Sequence, residues 1–329
     1  MSMKQLILDF TNQISKAIVI GNSYTANDKS RKITNVLISG LGGSGIGGTI
    51  AAEVVADEAN IPILTNNGYF IPAFVDDETL FLACSYSGNT EETISATKLA
   101  YDKGAKIVVI SSGGKLRELA EEHGWDHIGI PGGQPPRASF GLSVPEVLYV
   151  LNAHGIVSKH FEKELEASIK LLDDNEAAIQ KEAKEITEKL FGKIPVIYAA
   201  DGFGGVATRF RQQVNENSKM LCWHHVIPEM NHNELVGWRT NNNDLAVILF
   251  RNESDFKNIQ ARMEINKGTF AEYTDTIVEV WSKGTSDLQR ALYLIHIGDW
   301  ISYFLGEKKG VDITEVKVID HLKGELAKL

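Results

Sequence analysis

Asn35-Val-Leu-Ile-Ser39 runs directly into Gly40-Leu-Gly42-Gly43-Ser44-Gly45-Ile-Gly47-Gly48, a short apolar run that breaks into a glycine-rich turn. The run has the length of a buried strand, and helical periodicity follows it over 46–57. The same alternation continues. Strand-length apolar runs at 61–64, 79–84, 106–110 and 127–130 are interleaved with helical patterns at 90–103 and 115–123. Strands that alternate with helices imply a parallel sheet flanked by helices.

Working outward, Leu6, Phe10, Ile14 and Ala17 recur at helical spacing and predict one amphipathic helix over the first twenty residues. Downstream, a polar helical stretch rich in Glu and Lys spans 158–191. The strand-helix rhythm then resumes, with strands at 194–199, 245–250 and 276–281 and helices at 204–219, 254–265 and 285–305. A last helix is predicted over 313–327, after Gly310. The fold class is therefore α/β, with two doubly wound domains of parallel strands flanked by helices. The predicted division is 1–155, 156–310 and a C-terminal helical tail, 311–329. The length of 329 residues fits two domains at roughly 100–200 residues each.

Composition narrows the function. With 43% hydrophobic and 23% charged residues, the chain can bury sizeable cores. Its formal charge of −10 and the lack of a basic run argue against binding a nucleic-acid backbone. Cys84 and Cys222 lie far apart without metal-ligand spacing and read as reduced thiols. The N-terminus reads as neither a signal peptide nor a membrane span, so a cytoplasmic location is expected.

Two loops carry chemistry. Gly40, Gly42 and Gly45 satisfy the G-x-G-x-x-G spacing of dinucleotide sites. That fingerprint also needs a carboxylate at the end of the next strand, and here the strand ends Thr65-Asn66-Asn67. A nicotinamide cofactor is not expected. Close backbone approach to some ligand at a helix N-terminus remains, as does simple tight packing of the turn. The second loop, Ser85-Tyr-Ser87-Gly-Asn89-Thr90-Glu-Glu-Thr93, is crowded with short donor side chains. At a helix start, Ser85, Ser87, Asn89 and Thr90 add donors to unpaired backbone N–H groups, which suits a phosphate monoester. Ordinary N-capping by Asn89 or Thr90 needs only one of them. No Walker lysine is present, so the expected anion is a substrate phosphate rather than a nucleotide triphosphate.

Gly42-Gly43-Ser44 together with Ser85-Tyr-Ser87-Gly-Asn-Thr90-Glu-Glu-Thr93 resembles the sugar isomerase (SIS) fold. Downstream, Pro136-Arg137-Ala138, Asn215-Glu216-Asn217-Ser-Lys219, Pro228-Glu-Met-Asn231-His232-Asn233-Glu234 and Leu322-Lys323 resemble the bifunctional phosphoglucose/phosphomannose isomerase family over nearly the whole chain. The resemblance implies two SIS domains and interconversion of glucose 6-phosphate and mannose 6-phosphate with fructose 6-phosphate through an enediol. It implies no metal and no redox cofactor.

By its chemistry, a carboxylate in Asn-Glu-Asn can serve as a general base. Pairing with Lys219 at i+3 would be the plainer role for Glu216. His232 carries an imidazole, a group suited to proton exchange with sugar oxygens. His224 and His225 compete for that task, and the three histidines with Glu229 and Glu234 fit no common metal spacing. Arg137, held between prolines and Ala138, can stabilise charge on an enediolate, or pair a carboxylate at the edge of the core. The resemblance makes Glu216 the proton-transfer base, His232 and Lys323 the ring-opening groups and Arg137 the enediolate stabiliser. It makes Ser44, Ser87 and Thr90 parts of the sugar-phosphate site, to which the reading of the two loops adds Gly42, Gly43 and Ser85. It also implies a homodimer in which His232 reaches in from the neighbouring subunit. One departure is Asp312-Ile-Thr314 where the family pattern has Asp-Pro, which touches the placement of Lys323 and Thr314. Competing readings are an aminosugar-phosphate isomerase or deaminase, and a sugar-phosphate-sensing SIS module without catalysis. A glutamine-dependent synthase would need a nucleophilic N-terminal Cys where the chain reads Met1-Ser2-Met3, and a DNA-binding regulator would need more than the first 34 residues.

Overall fold

The computed structural model describes residues 1–240, 242–326 and 328. The chain begins with α1 (Met3–Leu8) and α2 (Phe10–Ser23), which divide the single N-terminal helix expected from periodicity. The break is at Asp9, whose carboxylate accepts from Asn12 Nδ2 at 3.1 Å and whose backbone leaves the helical region. A short acidic side chain competes with the helix for local donors and so favours caps.

The first half then runs β1 (Asn35–Ser39), α3 (Gly42–Val54), β2 (Ile63–Asn66), β3 (Thr79–Cys84), α4 (Glu91–Asp102), β4 (Lys106–Ser111), α5 (Gly114–His123) and β5 (Asp126–Gly129). Its five strands are all parallel in the order β2-β1-β3-β4-β5. α6 (Phe140–Ala153) follows, and α7 (His160–Leu190) leads to the second sheet.

The second half comprises β6 (Ile194–Ala200), α8 (Gly204–Ser218), β7 (Trp223–Ile227), β8 (Leu245–Arg251), α9 (Lys257–Ala271), β9 (Ile277–Trp281) and α10 (Asp287–Lys309), before α11 (Lys317–Leu326). Its four parallel strands take the order β7-β6-β8-β9, the same plan one strand shorter. Apart from the divided N-terminal helix, the strands and helices expected from sequence are present, with ends displaced by up to six residues, as at the end of α9. β7 and α6 are additional. β7 is an edge strand with only Ile227 buried, and two histidines interrupt its apolar pattern. α6 is buried on all sides, so its apolar residues show no helical stripe.

Both sheets send one face into a shared core. Ile38, Ile50 and Phe140 from the first half join Val206, Phe210, Ile248 and Trp300 from the second in one continuous cluster. The opposite faces are closed separately, by Ala96, Leu116 and their neighbours on the first sheet and by Met263 and Phe270 on the second. The shared core presses α3 of one half against α8 of the other, and that contact positions the site. Among the described residues no helix is long and apolar enough to cross a membrane.

Candidate active site

In the first sheet the direction of winding reverses between β1 and β3, and a crevice opens at the carboxyl ends of such strands. The two loops singled out in the sequence flank it. A Cβ on Gly45 would stand 2.3 Å from the Gly40 carbonyl oxygen, so the turn into α3 closes only with glycine there. The same carbonyl accepts from Asn67 Nδ2 at 2.7 Å. Ser44 Oγ accepts from the Tyr86 amide at 3.0 Å, which ties the two loops together.

The hydroxyls of the second loop form a small array. Ser85 Oγ lies 2.8 Å from Thr90 Oγ1 and accepts from the Gly88 amide at 3.2 Å, while Ser87 Oγ accepts from the Asn89 amide at 3.2 Å. Thr90 occupies the N-cap of α4, yet its side chain makes no capping bond. Ordinary capping therefore does not account for these residues. Gly88 takes a φ of +70°, and a Cβ there would strike the Gly113 carbonyl at 1.7 Å. The turn after β4 thus backs the array, with the Lys115 amide donating to Asn89 Oδ1 at 2.9 Å. Two helix N-termini and a row of hydroxyls are chemically able to receive a compact anion.

Arg137 stands between this crevice and the second half. It lies in a 3₁₀ turn, Pro136–Ala138, after β5, and is almost fully buried. Its backbone borders the glycine turn, for a Cβ on Gly43 would lie 3.3 Å from Arg137 Cα. Its side chain crosses to the other half: Nε donates to Asn217 Oδ1 at 2.8 Å and Nη1 to Glu216 Oε2 at 3.4 Å. Nη2 donates to the carbonyls of Ile313 and Thr314 at 2.8 and 3.1 Å. Burial lowers the guanidinium pKa, with Glu216, Asp312 and Glu315 acting in the opposite direction.

Glu216 sits near the C-terminal end of α8, its side chain 28% exposed. Its carboxylate faces Arg137. Lys219 takes a different part from the pairing its spacing offered: its Nζ donates to the backbone carbonyls of Glu216 and Glu315, at 2.5 and 2.8 Å. Lys219 ends α8 in the left-handed conformation, φ 53°, and so turns the chain just past Glu216.

The structure brings Gly42, Gly43, Ser44, Arg137 and Glu216 into one neighbourhood, next to Ser85, Ser87 and Thr90. His232 is not among them within the chain. It ends a 3₁₀ turn, Glu229–His232, beyond the carboxyl end of β7 and is exposed, whereas Glu216 precedes the amino end of that strand. Lys323 lies on α11, which buries none of its described residues. Thr314 meets Arg137 through its carbonyl. The competing histidines are engaged in β7: His224 Nε2 bonds Thr208 Oγ1 at 2.8 Å, with its pKa lowered to about 4 by burial, and His225 Nδ1 accepts from the Val226 amide at 2.8 Å. Glu234 Oε1 accepts from Tyr198 and from Trp223 Nε1, and Glu229 Oε1 from Asn233. Among the described residues no three His, Cys, Asp or Glu side chains cluster as metal ligands.

Sequence reasoning missed the support beneath Arg137. Arg209 on α8 donates through Nη2 to the Arg137 carbonyl at 3.2 Å and to both oxygens of buried Asp299 at 3.1 and 2.8 Å. Gln213 joins at Asp299 Oδ1, 2.7 Å away, and the Arg209 guanidinium stacks on Phe140. Arg209 and Gln213 are spaced i, i+4 on α8, a pairing visible in the sequence, but their partner Asp299 is far along the chain on α10. Asn217 also went unassigned a role. It is fully buried and donates to Ser302 Oγ at 3.0 Å while accepting from Arg137.

Residues 179–326 match the family described as bacterial phospho-glucose isomerase C-terminal SIS domain. Over 99% of its length the chain is 38% identical to the bifunctional phosphoglucose/phosphomannose isomerase of Caldicellulosiruptor bescii, covering 99% of that protein. It is 35% identical to the bifunctional phosphoglucose/phosphomannose isomerase of Aquifex aeolicus, over 93% of this chain and 96% of the relative. Among solved structures, the C-terminal domain of glucosamine-fructose-6-phosphate aminotransferase from Francisella tularensis shares the fold. It superposes with a TM-score of 0.79 at 14% identity, over 95% of this chain and 98% of that one.

Proposed function

The chain belongs to the bifunctional phosphoglucose/phosphomannose isomerase family, and from that premise we propose how its residues divide the work of the reaction. The protein is an aldose-ketose isomerase that interconverts glucose 6-phosphate and mannose 6-phosphate with fructose 6-phosphate through an enediol. Ser44, Ser85, Ser87 and Thr90, with the amides of the Gly42-Gly43 turn, hold the phosphate. Glu216 takes the C2 proton of the open aldose, and the C–H electron pair becomes the C1–C2 double bond as the carbonyl pair moves to O1. The acid form of Glu216 then returns the proton to C1, and the O2 proton passes to O1. Arg137 faces the developing oxyanion and stabilises it. Because C2 is planar in the enediol, the glucose and mannose epimers converge on one intermediate.

The observation that carries this reading is the convergence of Gly43, Arg137 and Glu216 across the two halves. A carboxylate that faces the cleft beside the phosphate loops is placed to take up a proton, and a positioned base contributes typically about 10²–10⁴ in rate. His232 and Lys323 act in ring opening. Since His232 and Glu216 lie at opposite ends of β7, the imidazole enters the site from a second copy of the chain, making a homodimer. Residues 1–155 and 156–310 serve as the two SIS domains, and the tail 311–329 closes over the cleft. The carbonyls of Ile313 and Thr314, already bound by Arg137, support that role. With both thiols unpaired, Cys84 buried and Cys222 half-buried, the reading fits a reducing cytoplasm.

The test is Glu216→Gln, followed by exchange of the substrate C2 hydrogen with solvent. Isomerisation and exchange should both be lost while sugar phosphate still binds; exchange at the wild-type rate would place the base elsewhere. Mixing refolded Glu216→Gln with refolded His232→Ala should restore activity through mixed dimers. No recovery would overturn the shared site.

A further inference from the structure

The second half has its own glycine-rich turn, Gly202-Phe203-Gly204-Gly205, at the start of α8, in the position that the anion-binding turn holds in the first half. Its leading amide is already occupied. Glu53, near the C-terminal end of α3, accepts from the Gly205 amide with both carboxylate oxygens, at 2.9 and 3.0 Å. Phe203 at the N-cap makes no side-chain cap of its own. The approach is close enough to require glycine: a Cβ on Gly205 would lie 2.7 Å from Glu53 Oε2 and 2.7 Å from Ile50 Cγ1.

α3 and α8 are therefore an antiparallel pair joined at both ends. At one end Gly43, second in α3, meets Arg137, which holds Glu216 near the end of α8. At the other, Glu53 meets Gly205. The ten residues from Gly43 to Glu53 span about 15 Å and the eleven from Gly205 to Glu216 about 16 Å, so the two helices keep step. A slide or tilt at the Glu53 end is carried by α8 to Glu216, and the loops that hold phosphate sit on α3 and β3 and do not follow.

We infer that Glu53 is a positioning residue for the reaction: its carboxylate fixes α8 against α3 and thereby sets Glu216 relative to the sugar-phosphate loops. The inference rests on the reading of Glu216 as the base. It fits the orphan amides that every helix start leaves, and the preference of that end for negative charge. Burial pushes the Glu53 carboxyl up to about 7, with the Gly205 amide opposing and Asp201 reinforcing the shift, as expected for an acid partly buried between two helices.

The experiment compares Glu53→Ala and Glu53→Gln with wild type, using glucose 6-phosphate, alongside Glu216→Gln. A misplacement of about 1 Å can cost about 10²-fold in rate. Glu53→Ala should lower kcat at least about tenfold, with C2 exchange falling in proportion and KM within about twofold of wild type. Glu53→Gln keeps the size and one acceptor, so its kcat should fall between the two. Wild-type kcat in Glu53→Ala, or a rise in KM alone, overturns the inference. Should the Ala variant fail to fold, the Gln variant decides: a lowered kcat at unchanged KM supports positioning, and wild-type kcat overturns it. The two readings fail separately. If Glu216→Gln retains exchange, the base assignment falls whatever Glu53 does; if Glu216→Gln is inactive and the Glu53 variants are unaffected, only the positioning falls.

Discussion

The two halves share a strand order and a glycine-rich turn after their first strand, but they use these features in opposite ways. In the first half the helix that follows the turn begins without a side-chain cap, and hydroxyls from the neighbouring loop gather beside it. In the second half the corresponding helix start is met by Glu53 of the first, and Glu216 sits at the far end of the same helix. A parallel-sheet plan offers a ligand site at each reversal of strand order. In the proposed division one holds an anion, and the other anchors the helix that carries Glu216, the proposed base.

The largest test of this division is at Arg137, whose backbone belongs to the first half and whose side chain ends in the second. Lysine keeps the charge but concentrates its donors on one nitrogen, so it cannot reach Asn217, Glu216, Ile313 and Thr314 together. Arg137→Lys is expected to lower kcat by about 10²–10³, the loss seen when a donor to a developing oxyanion is removed. Unpaired buried acceptors should also cost about 1–3 kcal/mol in stability, measurable by denaturant titration. Wild-type kcat in this variant would mean the halves are joined elsewhere.

A smaller effect is expected in the hydroxyl array. Ser87→Ala and Thr90→Ala should each raise KM about two- to tenfold at nearly constant kcat, because a neutral hydrogen bond is worth about 0.5–1.5 kcal/mol. The control lies in the other half. Ser254, exposed in the loop after β8, occupies the corresponding place there, and Ser254→Ala should leave KM unchanged. Equal effects in both loops would erase the functional difference between the halves.

Much of this arrangement is legible in the sequence, for reasons that differ by region. The buried strands of both sheets announce themselves as continuous apolar runs, and the crowd of short donors at 85–93 exceeds what a helix cap uses. β7 is hidden because an edge strand carrying Trp223, His224 and His225 lacks such a run. The meeting of Arg137 with Glu216 is not written in local spacing at all. It arises because the shared core holds α3 against α8, a tertiary fact with no sequence period. Asp299 beneath Arg209 is hidden in the same way, since α10 is apolar on most sides and its one buried acid reads as an interruption.

The smallest predicted effect is on stability, and it asks whether the second half's helix start is truly sealed. An anion at a helix N-terminus ordinarily gains from the dipole and keeps a low pKa. At Glu53 burial outweighs that gain, helped by Asp201, and raises the carboxyl to about 7. In the unfolded chain the same group titrates near about 4.3. Between these values the native state holds a proton that the unfolded chain has released. The contribution is therefore complete below the unfolded pKa and is lost as pH rises through about 7. Wild-type Tm should consequently fall between about pH 5 and 8 by a few degrees more than that of Glu53→Gln, which has no proton to lose there. Glu146, buried without a partner and pushed up to about 9, slopes in the same direction in both proteins, so only the difference between the two curves reports on Glu53. Parallel curves would mean that the carboxylate between α3 and α8 is solvated, and that the second helix start is open like the first.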